Sequence, residues 1–222
     1  MSSEQRFVDG GKYVSGLFIT IEGPDGAGKS SVVKKLVEAI QEATTKPLVV
    51  TREPGGSEIA ERIRDILLDP IHTIMDDRTE ALLLAAGRRQ HVVEKIRPAL
   101  ERGEIVLCDR FVDSSIAYQG QARGIGIEEV KAINEFAIEG LRPDLTIYLD
   151  VDAEVGLNRI KDKNSNRTQD RLELEEVAFH EEVRRGYLAL IKAEPNRFVT
   201  VDASQPEETV FNQVWEIVKG KL

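Results

Sequence analysis

The chain has 222 residues, a formal net charge of −9, and 31% charged against 41% hydrophobic residues. That is enough for one domain with a substantial core, or one domain carrying a mobile insert, and the acidic balance argues against the broad basic face that a long polyanion such as DNA requires. A single cysteine, Cys108, excludes a disulfide framework and fits a reducing, cytoplasmic setting, and no apolar run reaches the length that spans a membrane.

Residues 1–16 carry Glu4, Arg6, Asp9 and Lys12 and no hydrophobic block. They read as a flexible N-terminal extension, not a secretory signal. The apolar run Leu17–Ile21 then opens a series of five short runs, continued by Leu48–Thr51, Ile105–Asp109, Leu145–Val151 and Phe198–Val201. Several are apolar on both faces, as buried parallel strands are. Between them lie helical patterns. Gly28–Glu42 puts Val32, Val33, Leu36, Val37 and Ile40 on one face. Ile59–Leu68, Thr79–Glu101, Ile127–Glu139, Glu154–Ile160, Glu175–Ala193 and Glu207–Lys219 follow. The rhythm predicts an α/β fold over residues 17–222: a doubly wound, parallel five-stranded sheet with helices on both faces, binding ligands at the carboxyl ends of its strands. One stretch breaks the rhythm. Lys161–Arg171, KDKNSNRTQDR, is polar and without apolar period; it reads as a solvated surface loop or as a mobile lid, and the need for arginines at the phosphate site favours a lid over about residues 159–175.

The strongest local signal is Gly23-Pro24-Asp25-Gly26-Ala27-Gly28-Lys29-Ser30, with Ser31 beside it. It matches the phosphate-binding pattern G-x-x-x-x-G-K-[ST], and it follows a strand and opens a helix, as the mechanism requires. Gly23, Gly26 and Gly28 permit a tight turn whose N–H groups point inward at a phosphate. Lys29 would reach the β- and γ-phosphates of ATP, and Ser30 would hold Mg²⁺. Asp109, at the end of Ile105–Asp109, is the expected second magnesium residue. There is no Asn-Lys-x-Asp guanine-reading motif, which argues against a GTPase switch.

Arginine grips phosphate bidentately and keeps its charge. Arg52 follows one strand, Arg110 follows Asp109, and Arg88 lies in a helix. Two phosphate-gripping arginines beyond the phosphate loop suggest an acceptor that is itself phosphorylated. The phosphate loop holds no arginine of its own, so Arg159, Arg167 and Arg171 of the lid region are the candidates to complete the catalytic charge, together with Lys29 and Arg110. The histidines His72, His91 and His180 lack metal-ligand spacing and are expected at the surface or at helix caps. Trp215 is expected to anchor the last helix to the core.

Taken together, FITIEGPDGAGKS, TREPGG, AAGRRQH, CDRF, DSSIAYQG, RGIG, PDLTIYLDV and DRLE resemble the thymidylate kinases, especially the bacterial type with catalytic arginines in the lid. The resemblance covers the chain from about Leu17 onward. It implies the nucleoside monophosphate kinase form of the fold and phosphoryl transfer from MgATP to thymidine monophosphate, in the supply of the triphosphate. It further implies that Arg52 and Arg110 hold the acceptor phosphate, and that Arg88 and Gln119 hydrogen-bond the base while Ser115 faces it. Asp25 would accept from the sugar 3′-hydroxyl, and Tyr118 would crowd out a 2′-hydroxyl. It also implies a homodimer formed through the helix around Thr79–Glu101; from the charge balance and the lack of a long apolar run, no nucleic-acid or membrane partner is expected. Leu84 departs from the family, which often has an aromatic ring there to stack on the base, a contact worth about 0.5–1.5 kcal/mol. The competing readings are a kinase for another nucleoside monophosphate, and a nucleotide-binding switch without transfer activity.

Overall fold

The computed structural model describes residues 7–8, 12–13, 16–163, 171–172 and 175–222. Arg167 and Glu173, and most of the expected N-terminal extension, lie outside them. Within that extension β1 (Phe7–Val8) and β2 (Lys12–Tyr13) pair as a small antiparallel ribbon.

The central sheet is built from β3 (Leu17–Glu22), β4 (Leu48–Arg52), β5 (Ile105–Asp109), β6 (Leu145–Asp150) and β7 (Phe198–Asp202). Its order is β4-β5-β3-β6-β7 and every pairing is parallel. The five expected strands are therefore present with nearly the expected bounds. A parallel sheet brings all carboxyl ends to one edge, and here that edge ends in Glu22, Arg52, Asp109, Asp150 and Asp202. Register sets Arg52 opposite Asp109 and Asp109 opposite Ile21. The site therefore draws on three strands far apart in the chain.

Because successive strand residues face opposite sides, the runs feed two cores. Phe18, Val106, Cys108 and Tyr148 pack on one face, against Val92, Ile96, Val130, Val183 and Tyr187. Ile19, Ile21, Leu107, Ile147 and Leu149 pack on the other, against Val32, Leu36, Ile40, Val210 and Val214. The second face is covered by α1 (Lys29–Ala43) and, later in the chain, by the C-terminal helix, whose Trp215 lies partly buried on this core as expected.

The remaining helices are α2 (Glu58–Leu68), α3 (Asp77–His91), α4 (Arg97–Glu101), α5 (Val112–Ser115), α6 (Ile127–Ile138), α7 (Ala153–Lys163), α8 (Val177–Ala193) and the C-terminal α9 (Glu207–Lys219). The long helix expected over Thr79–Glu101 is divided by a π-helical turn at Val92–Ile96. A second π-helical run, Ile116–Ala122, continues α5. Neither α5 nor this run was expected, since a π-helical turn has no hydrophobic period of its own, though such turns recur at functional sites. The second run carries Tyr118 and Gln119. Two of the three histidines differ from expectation: His91 and His180 are buried. His91 sits between Glu53 and Thr51, with Nδ1 to Oε1 at 3.0 Å and Nε2 to Oγ1 at 2.7 Å, so an internal hydrogen-bond chain holds it inside.

Candidate active site

A cleft of about 440 Å³ opens at the carboxyl edge of the sheet, between the phosphate loop and α2, α3 and the π-helical run. That is the size range of small-ligand sites. It is lined by Asp25, Gly26, Gly28, Lys29, Ser30, Ser31, Arg52, Arg88, Asp109, Arg110, Ser115, Tyr118, Gln119 and Arg159 among the expected residues. Gly23, Pro24 and Ala27 complete the loop behind that wall.

The loop's shape follows from its glycines. Gly23, Gly26 and Gly28 have φ of +148°, +76° and +88°. At Gly26 a Cβ would also sit 2.0 Å from the carbonyl oxygen of Gly156, so no side chain fits. Gly28 ends the loop and α1 begins without a side-chain cap, which leaves its first N–H groups for an anion. Lys29 folds back on the loop, donating to the carbonyls of Gly23 at 3.0 Å and Pro24 at 2.8 Å. Burial, helped by the positive Arg110, pushes its amine down to about 8, against the pull of Asp25, Asp109 and Glu22.

This has a testable consequence. Bound phosphates add negative charge beside Lys29 and lift its pKa, so binding takes up a proton once the free protein has begun to lose it. Binding energy from this group is fully present below the free-state value of about 8 and fades as pH rises through it. A non-hydrolysable ATP analogue should bind more weakly above about pH 8, with net proton uptake in calorimetry across buffers of different ionisation heat. Both effects should vanish in Lys29→Met. Affinity that is flat over this range would show that Lys29 stays charged throughout.

Ser30 Oγ donates to Asp109 Oδ2 at 3.2 Å, and Asp109 Oδ1 is buried with no hydrogen-bond partner among the described residues. A hydroxyl and a carboxylate with an unused oxygen form a hard-oxygen donor set that suits Mg²⁺.

Arg110 is the hub. Its backbone sits in the left-handed region, φ +68°, a position that costs a non-glycine residue about 1–3 kcal/mol. Glu22 sets up this turn by accepting from Phe111 N at 2.7 Å, Ser114 Oγ at 2.6 Å and Tyr187 Oη at 2.8 Å. Burial and the nearby Asp113 raise the Glu22 carboxyl to about 7. The Arg110 guanidinium then donates to Gly23 O at 2.9 Å, Asp25 Oδ1 at 2.5 Å, Tyr118 Oη at 3.0 Å, Tyr187 Oη at 3.2 Å and Ser114 Oγ at 3.3 Å. Tyr118 also donates to Asp25 Oδ2 at 2.8 Å. Burial would raise the Asp25 carboxyl, but Arg110, Lys29 and the Tyr118 hydroxyl prevail and hold it at about 2.

Arg52 is half-exposed at the cleft wall and tied to Glu61 at 2.8 Å. Arg88, by contrast, is 3% exposed. Its Nε donates to Glu53 Oε2 at 2.6 Å, Nη1 to Ser115 Oγ at 3.0 Å and to Asn134 Oδ1, and Nη2 to Phe111 O at 3.2 Å. Four of its five N–H groups are thus engaged inside the protein. Gln119 donates to Glu80 Oε1 at 2.7 Å.

The expected lid arginines separate. Arg159 lines the cleft, but its guanidinium donates to the carbonyls of Ala203 at 2.8 Å and Ser204 at 3.4 Å. Arg171 does not line it. Its Nε donates to Leu67 O at 2.9 Å and its Nη2 pairs with Glu80. Arg167 lies outside the described residues.

Sequence reasoning missed Arg64, which lines the cleft and donates to Pro54 O at 2.7 Å. The signal was present. Arg64 shares the face of α2 that buries Ala60 and Leu67, an arginine on an apolar stripe.

A profile of the thymidylate kinase family matches residues 21–214. The thymidylate kinase of Latilactobacillus sakei is 58% identical over 203 residues, covering 91% of this chain and 94% of that protein. The thymidylate kinase of Anoxybacillus flavithermus is 54% identical over 206 residues, covering 93% and 98%. The crystal structure of thymidylate kinase from Ehrlichia chaffeensis superimposes with a TM-score of 0.73 at 32% identity, covering 92% of this chain and 99% of that one.

Proposed function

The chain belongs to the thymidylate kinase family and transfers a phosphoryl group from ATP to thymidine monophosphate, and from that premise we propose how its own residues do so. The observation that carries the proposal is the Arg110 guanidinium, which joins the phosphate loop at Gly23 to the wall formed by Asp25 and Tyr118. One planar cation between two phosphate sites can hold the acceptor phosphate and face the charge that develops on the transferred group.

The phosphate loop and Lys29 bind the donor's β- and γ-phosphates. Arg52 and Arg110 hold the acceptor phosphate in line, and Arg64 on α2 adds positive charge to that wall. An acceptor oxygen forms the new bond to the γ-phosphorus as the bond to the β–γ bridging oxygen breaks, releasing ADP. The acceptor phosphate is already an anion, so no strong general base is needed. Ser30 and Asp109 are the residues that would hold Mg²⁺, which when bound neutralises charge on the donor phosphates. Arg159, Arg167 and Arg171 remain the proposed lid arginines, over about residues 159–175. Tyr118, fixed by Asp25 and Arg110, is the proposed barrier to a 2′-hydroxyl, with discrimination of roughly 100-fold.

We place the enzyme in the cytoplasm, a reducing compartment that suits the free, buried Cys108. Among the described residues no helix is long and apolar enough to cross a membrane. A homodimer through α3 is supported by exposed apolar side chains on α3 and on the two helices packed against it: Leu82 of α3, Ile59 and Ile66 of α2, and Phe136 of α6, the last 87% exposed.

The test is ADP release with MgATP and each of thymidine, deoxyuridine, uridine, deoxycytidine and adenosine monophosphates. Strong turnover with thymidine monophosphate, and weak turnover with the ribonucleotide and purine acceptors, is expected. ADP release that ignores the acceptor would sink the phosphate-clamp assignment and favour a switch.

A further inference from the structure

Glu80 lies on α3 two turns before Arg88, a position at which no catalytic or binding role was expected. It is a carboxylate only 1% exposed, and burial of such a group demands partners. It has three. Gln119 Nε2 donates to Oε1 at 2.7 Å. Arg123 approaches with Nε at 3.5 Å from Oε1 and Nη2 at 3.3 Å from Oε2, and Arg171 Nη2 pairs with Oε2. Arg123 is itself braced by Glu175 at 2.6 Å and by stacking on Phe179, and Arg171 by the carbonyl of Leu67. The carboxylate is therefore held in place from two sides.

The consequence falls on Gln119. An amide has a donor end and an acceptor end of nearly equal shape, and its neighbours decide which way it points. An ionised carboxylate only accepts. With Glu80 behind it, Gln119 must turn its NH₂ group to Glu80, which leaves its carbonyl oxygen as the acceptor for the cleft it lines. Arg88, which lines the same cleft, brings the opposite polarity, a guanidinium with donors only, one of them not engaged among the described residues. An acceptor beside a donor matches a 2,4-diketopyrimidine, which offers a ring N–H beside a carbonyl oxygen. A 4-aminopyrimidine offers a bare ring nitrogen beside an NH₂ group and is mismatched at both places.

We propose that Glu80 is a specificity-determining positioning residue: by orienting the Gln119 amide it makes the pocket accept thymine and uracil and reject cytosine. This rests on the proposed role of Gln119 in base recognition. Glu80 does not touch the acceptor; it acts through the amide.

The test compares kcat/KM for thymidine, deoxyuridine and deoxycytidine monophosphates in the wild type and in Glu80→Gln, with Tm measured alongside. A glutamine at position 80 can donate as well as accept, so the Gln119 amide is free to reverse. The thymidine-to-deoxycytidine ratio should fall by about tenfold or more. The thymidine-to-deoxyuridine ratio should stay unchanged, because both bases present the same N–H. A merely structural role would lower all three rates together, and equal losses with an unmoved deoxycytidine ratio would overturn the proposal. Should Glu80→Gln prove too unstable to assay, Gln119→Leu carries the same test. It removes the oriented acceptor, and a retained deoxycytidine ratio there also overturns the proposal. A wild type without acceptor-dependent ADP release would instead overturn the assigned reaction. An active wild type with unmoved ratios in the variants would leave that reaction standing.

Discussion

Replacing Arg110 with alanine is expected to lower kcat/KM for thymidine monophosphate by about a thousandfold or more. The magnitude follows from what the guanidinium does at once. It neutralises Asp25, closes against Gly23 of the phosphate loop and supports the hydroxyl of Tyr118. Arg110→Lys keeps the charge but not the planar fork, and one ammonium cannot reach five oxygens. Its loss should be smaller, about a hundredfold. The pH profile gives a second readout. In the wild type Asp25 is held at about 2 although burial favours its neutral form. Arg110 is the main opposing influence, so without it burial prevails and the carboxyl titrates at higher pH. The acid limb of kcat/KM should therefore move upward in Arg110→Ala and not in Arg52→Ala. A loss of less than tenfold would show that Arg110 is a scaffold residue and that Arg52 and Lys29 suffice for both phosphates.

The second large effect is on stability. Arg88→Ala removes one partner of a buried ion pair, in which the side chains of Arg88 and Glu53 are 2% and 4% exposed. An uncompensated buried charge costs about 3–5 kcal/mol, or a Tm fall of about 6–20 °C in a chain of this size. The pH dependence identifies the cause. Burial raises the Glu53 carboxyl, but Arg88 and the hydrogen-bonded His91 outweigh it, so its folded pKa lies below the unfolded value. That stabilisation is present above the unfolded value, 4.5, and fades as pH falls through the folded one. In the variant the sign reverses. Burial leaves Glu53 with a raised pKa, and stability is lost as pH rises through it. The Tm gap between wild type and variant should thus widen from about pH 4 to pH 7. A gap that does not change with pH would assign the loss to the cavity instead of the charge. Arg88 was expected chiefly as a base reader. The structure gives it four internal bonds, a structural role that stands beside the proposed one in base recognition.

The phosphate loop, the five strands and the ends of most helices were legible because each rests on local chemistry. Positive φ demands glycine at Gly26 and Gly28, a period near 3.6 marks Val32, Val33, Leu36 and Ile40, and short Ile- and Val-rich runs mark buried strands. The grouping of Arg52, Asp109 and Arg110 at one edge was also within reach, since a parallel sheet puts every strand's carboxyl end on the same side. Arg64 and Glu80 could have been found as charges on buried helix faces, but a charge on such a stripe does not name its partner.

The amino-acid sequence by itself determined the sheet, the glycine-rich loop before α1 and the reaction class, because those show in residues adjacent in the chain or repeated at a fixed period. Only the tertiary structure decided which polar groups remain available to a ligand. Arg88 finds Glu53 and Asn134 at separations of 35 and 46 residues, and Gln119 finds Glu80 at 39. The same holds for the burial of His91 and His180, and for the π-helical run that carries Tyr118 and Gln119. A hydrogen bond is decided within a few tenths of an ångström, and that distance is set by how α3, the π-helical run and the strand edges pack together, which no local pattern encodes.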